Sequence, residues 1–113
     1  MILGASKDIM SNIEVVKIEA RKLDSSSSAS LRTAVTKAWE RGATVVALDM
    51  SDVIYVDSLG ISALISEQRR RPSGSRIVLC GLTDYVQDVL EVTQLVRVFD
   101  VYADAEAARK GVR

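Results

Sequence analysis

A chain of 113 residues, 48% of them hydrophobic, holds enough apolar material for one core of ordinary size and too little for two. Its 15 Lys and Arg balance 15 Asp and Glu, so it lacks the basic excess that neutralises nucleic-acid phosphates or holds an anionic membrane surface. With no histidine and a single cysteine, Cys80, it has no imidazole base near neutral pH, lacks the commonest metal ligand and cannot close an internal disulfide.

Residues 1–12 show no hydrophobic period and read as a loose leader or a short edge strand, leaving 13–113 as the domain. Met1-Ile2-Leu3-Gly4 has neither the charged start nor the apolar length of a signal peptide. No run approaches the roughly 18 apolar residues of a membrane span, so the expected compartment is the cytoplasm, without membrane insertion.

From Glu14 to Lys22 apolar and charged residues alternate, with Val16, Ile18 and Ala20 on one side, as in a half-buried strand. Asp24 and the tract Ser25-Ser26-Ser27-Ser28 then precede Leu31, Ala34, Val35, Ala38 and Trp39 at helical spacing, and Gly42 ends that helix. Ala43 to Leu48 is apolar and β-branched without alternation, the pattern of a central strand covered on both faces. Leu59, Ile61, Leu64 and Ile65 predict a second helix to about Arg71, broken by Pro72-Ser73-Gly74. Arg76 to Leu82 reads as a strand carrying Cys80 inward. Val86, Val89, Leu90 and Thr93 predict a third helix, Val98 to Tyr102 a last strand, and Asp104 the N-cap of a short final helix. Strands alternating with helices in a chain of this size predict an α/β domain: a mixed, mostly parallel sheet of four to five strands covered by about four helices.

Three regions carry candidate chemistry. The run Leu48-Asp49-Met50-Ser51 through Val56-Asp57-Ser58-Leu59-Gly60 delivers a serine to the start of the second helix, where Ser58 can serve as an N-cap or present its hydroxyl to a partner. Ile61 occupies the position where a capping box requires Glu or Gln. A phosphate on Ser58 would add about −1.5 to −2 charges at the positive end of the helix dipole, with Asp57 beside it and Asp49 at a strand end to repel it. A catalytic serine lacks both the G-x-S-x-G elbow and a histidine to take its proton, and Asp49 has no acidic pair to make it a magnesium-dependent phosphoacceptor. Asp24 fits an N-cap or a partner contact, and Arg69-Arg70-Arg71 fits a helix C-terminus or a docking site for an acidic partner.

Arg21-Lys22-Leu23-Asp24 before a helix, Leu48-Asp49-Met50-Ser51 through Asp57-Ser58-Leu59-Gly60, and Val78-Leu79-Cys80-Gly81-Leu82 together resemble the STAS family, in its anti-sigma factor antagonist type. The similarity extends from about Glu14 to Ala108. The resemblance implies a partner switch that regulates transcription, and no enzyme. The unphosphorylated protein binds an anti-sigma factor that is a serine/threonine kinase, and phosphorylation on Ser58 releases it. A separate serine phosphatase restores the first state. Asp24, Asp57, Leu59 and Gly60 are the implied partner contacts; no cofactor, metal or direct nucleic-acid contact is implied. Two positions depart from the family pattern: Ala20-Arg21-Lys22 lacks a small glycine before the L-D motif, and Leu59 stands where a small polar residue is usual. A second class with the same fold, the STAS subunit of bacterial lipid-transport ABC systems, binds its ATPase subunit and has threonine more often where this chain has Ser58. Nucleotide or small-ligand binding finds no glycine-rich phosphate loop.

Overall fold

The computed structural model describes residues 12–112, so the leader or edge strand expected over 1–12 lies outside the described residues apart from Asn12. Along the chain run β1 (Ile13–Lys17), β2 (Lys22–Leu23), α1 (Ser28–Glu40), β3 (Val45–Asp49), β4 (Tyr55–Val56) and α2 (Ser58–Arg70). They are followed by β5 (Arg76–Cys80), α3 (Asp84–Val92), a 3-10 turn (Leu95–Arg97), β6 (Val101–Tyr102) and α4 (Ala105–Gly111). The described strands form a four-stranded sheet in the order β1-β3-β5-β6 and a separate ribbon of β2 and β4. Every described pair is parallel.

The uninterrupted apolar runs of β3 and β5 follow from a sheet covered on both faces, where alternate side chains enter different layers and none meets water. Val46, Leu48, Ile77 and Leu79 face the larger layer, packed on Leu31 and Val35 of α1, Leu64 of α2 and Val86 and Leu90 of α3. Ala47, Val78 and Cys80 face the other way, onto Ala108 of α4 and the partly buried Ile13, Val15 and Tyr102. Asp104 caps α4 as its sequence position predicts, accepting the N–H of Ala107 at 2.8 Å.

Burial pushes the Cys80 thiol up to about 11, with Asp49 adding to the effect. Alkylation of the native protein at pH 8 is therefore expected to leave Cys80 unlabelled, whereas denaturant should open it to rapid labelling; equal rates would mean that the sheet opens freely. The folded thiol holds its proton to about 11 while an unfolded one ionises near 9.0. Stability therefore declines as pH rises through that alkaline window.

Three expected strands shorten: that from Arg76 ends at Cys80, two residues before Leu82, and the other two change more. The alternation from Glu14 to Lys22 is not one strand, because β3 ends at Asp49, whose carbonyl accepts a last bond from the Ile18 N–H at 3.0 Å. With no neighbour left to pair with, the chain leaves the sheet, Ala20 is exposed, and Lys22–Leu23 pairs with Tyr55–Val56 instead. Before β6, Gln94 adopts a left-handed conformation (φ 63°) and starts the 3-10 turn, so the strand expected from Val98 begins only at Val101.

Helix α2 is locked in place by polar side chains that the hydrophobic pattern does not mark. Gln68 donates through Nε2 to the carbonyls of Ile77 and Val98, each at 3.1 Å, and accepts the Ile77 N–H at 2.9 Å. Glu67 is buried and meets Arg32 of α1 at 3.3 Å and Arg70 at 3.2 Å. A carboxylate withdrawn from water is tolerable only with such partners.

Candidate functional site

The site forms where the β2–β4 ribbon meets the first turn of α2. Asp57 is extended (φ −110°, ψ −176°), and its carboxylate accepts the N–H groups of Leu59 at 3.0 Å and Gly60 at 2.9 Å. Asp57 is therefore the N-cap, the role considered for Ser58. An oxygen acceptor at this position is worth about 1 kcal/mol, and Ser58, one residue later, is relieved of it. Ser58 is the first helical residue, it is exposed, and among the described residues its hydroxyl has no hydrogen-bond partner.

Gly60 brings the second half of the site into register. A Cβ at this position would stand 2.0 Å from the Leu23 carbonyl oxygen and 3.2 Å from the Asp24 nitrogen, so the first turn of α2 lies directly on the end of β2. The Asp57 N–H donates to the same carbonyl at 3.2 Å. These contacts bring Asp24 against the Asp57–Gly60 turn.

Asp24 does not cap α1; that position belongs to Ser27, because the serine tract first makes a tight turn. The Asp24 carboxylate accepts from the Ser26 N–H at 3.0 Å and the Ser26 hydroxyl at 2.6 Å. Ser27 Oγ accepts the Asp24 N–H at 2.9 Å and donates to the Lys22 carbonyl at 3.1 Å. The Ser26 hydroxyl, followed by its backbone N–H, holds the Asp24 carboxyl below its ordinary pKa. Near neutral pH the turn is thus a fixed negative charge beside α2.

Exposed apolar side chains lie on the segment leading into Ser58 and just after it. Leu59 is 56% exposed, Ile54 49% and Tyr55 42%. Val53 and Val56 point inward while Ile54 and Tyr55, between them, are turned out to solvent. Asp49 serves its own loop, accepting the Ser51 N–H at 3.0 Å. Within Arg69-Arg70-Arg71, Arg70 is tied to Glu67 and Arg71 donates to the Ser75 and Gln68 carbonyls, which leaves Arg69 as the exposed cation of the three without such a tie among the described residues. Nor do three metal-ligating side chains converge anywhere among them.

BtrV of Bordetella bronchiseptica, a protein named for an anti-sigma factor antagonist role, is 28% identical to this chain over 88 residues, covering 76% of the chain and 75% of the relative. An anti-sigma factor antagonist from Mycobacterium paratuberculosis shares the fold, with a TM-score of 0.77 at 18% identity over 89% of this chain and 86% of that one. The Bacillus cell fate determinant SpoIIAA, solved in a phosphorylated form, aligns with a TM-score of 0.64 at 20% identity over 93% and 95% of the two chains. The family model described as the STAS domain matches residues 6–108, which takes in the sheet, the Asp24 turn and the Asp57-capped helix together, and this chain belongs to the STAS domain family.

Proposed function

We propose that this protein is an anti-sigma factor antagonist of a partner-switching system in the bacterial cytoplasm. Unphosphorylated, it binds an anti-sigma factor that is a serine/threonine kinase; phosphorylation on Ser58 ends the binding, and a serine phosphatase reverses it. The observation that carries this reading is the division of labour at the start of α2: Asp57 caps the helix, so the exposed Ser58 hydroxyl has no hydrogen-bond partner among the described residues and stands next to the exposed Leu59. The naming of BtrV and the solution of SpoIIAA in a phosphorylated form support it.

The direct test is intact mass and site mapping of the protein from its native cells, with and without phosphatase treatment. One phosphate on Ser58, absent from a Ser58→Ala variant that still folds and binds the kinase, is the expected result. A chain that stays unmodified across growth conditions and retains an ABC ATPase subunit instead would transfer the assignment to the lipid-transport class.

Leu59 gives an independent check. Leu59→Glu is expected to weaken kinase binding by about tenfold or more, because a carboxylate must then be desolvated at the centre of the contact. The melting temperature should hardly change, since the side chain is over half exposed. A large loss of stability would show that Leu59 supports the core.

A further inference from the structure

A second surface lies on α3, and its three longitudinal stripes differ in chemistry. Val86 and Leu90 are buried against the sheet. Tyr85, Val89 and Val92, spaced four and three residues apart, form a neighbouring apolar stripe that turns outward; Tyr85 is 47% exposed and Val92 83%. Asp84, Asp88 and Glu91 repeat the same spacing one residue earlier, so an acidic stripe runs alongside the apolar one. A shallow groove of about 230 Å³ lies between them, lined by Tyr85, Asp88, Val89, Val92 and Thr93.

The fold accounts for little of this. Asp84 suits the first turn, where the helix dipole favours a negative charge, but Glu91 lies in the last turn, where the dipole opposes it, and that turn has no basic residue. Among the described residues none of the three carboxylates has an ion-pair partner, and Glu91 is met only by the Gln87 amide, at 3.0 Å. Three uncompensated charges beside the exposed Tyr85 and Val92 and the half-buried Val89 are complementary to an object that is cationic on one edge and apolar on the next, at helical spacing. Anionic lipid and nucleic acid are repelled by the same stripe.

We infer that the outer face of α3 is a docking surface that receives a cationic amphipathic helix of a partner protein. Apolar residues of that helix at i, i+4 and i+7 fill the groove along Tyr85, Val89 and Val92, and its Lys or Arg side chains pair with Asp84, Asp88 and Glu91.

The test uses the full chain, labelled with 15N and titrated with a synthetic leucine–lysine amphipathic helix, with a leucine–glutamate helix of the same apolar pattern as control. Saturable shifts centred on Tyr85, Val89 and Val92 are expected with the lysine peptide only, weakened by salt. Val92→Glu and Asp88→Lys, each on the surface of the helix, should reduce that affinity by about tenfold or more without changing the melting curve. Shifts centred elsewhere, equal binding of the glutamate peptide, or wild-type affinity in Val92→Glu would overturn the inference. So would sedimentation showing that this face is consumed in a dimer of the chain.

Discussion

Replacing Gly60 by alanine is expected to cost the protein about 3 kcal/mol or more, a large share of the stability of a small domain. Inside a helix the same change ordinarily stabilises by about 1 kcal/mol, because alanine loses less conformational freedom on folding. Here the sign reverses for a steric reason: the added methyl would lie 2.0 Å from the Leu23 carbonyl oxygen and 2.5 Å from its carbon. Both are backbone atoms of a strand already bonded to β4 and to Asp57, so neither can swing aside as the end of a flexible side chain would. Relief requires the first turn of α2 to lift away from β2, which also pulls Asp57 from the carbonyl it donates to. Urea unfolding of Gly60→Ala, beside Ser62→Ala on the exposed side of the same helix, measures this; a loss below about 1 kcal/mol would mean that the contact between β2 and α2 is soft.

The second large effect concerns binding and rests on the partner-switch reading. Ser58→Asp is expected to leave folding almost unchanged while lowering kinase affinity by about 30-fold, or roughly 2 kcal/mol, with the phosphate itself stronger still. The folded chain tolerates an anion at this position because the side chain is exposed and the helix N-terminus favours negative charge by up to about 1 kcal/mol. The complex does not tolerate it. A partner seated on Leu59, Tyr55 and Ile54 must strip water from the new charge, and the neighbouring carboxylates of Asp57 and Asp24 add repulsion where a compensating cation would be needed. Calorimetric titration of both forms against the kinase gives the answer directly: equal affinities would refute exclusion by charge, and a drop in melting temperature of several degrees would point to damage in the fold.

Much of this architecture is legible in the residues, and its misreadings have physical causes. Strands β3 and β5 stand out because doubly covered strands must be apolar throughout, and Asp104 because a cap before alanines has few other roles. The break after Lys17 is invisible locally, since it is set by where β3 stops and not by any residue of β1. Asp24 and Ser58 were both plausible caps by type; Ser27 and Asp57 took those positions because the serine tract turns before it coils and because β4 holds Asp57 extended. The candidate site residues Asp57, Ser58, Leu59 and Gly60 are neighbours in sequence and so are legible together. Their relation to Asp24 depends on the space that Gly60 leaves, a distance no pattern encodes. Gln68 and Glu67 carry no such signal, because the burial of a polar side chain depends on partners distant in sequence.

The order of strands has a consequence for how the protein is made. Within the four-stranded sheet, position in space repeats position in the chain, β1-β3-β5-β6. Each strand leaving the ribosome therefore has its partner already synthesised, and no later segment must be threaded between two that have paired. Assembly can proceed from one side to the other as translation advances, with the growing edge always formed by the newest strand. A nascent chain stopped after Cys80 would present β5, apolar from Ile77 to Cys80, as a bare edge until β6 and α4 arrive, which makes that interval of synthesis the one in which this protein most needs shelter from its neighbours.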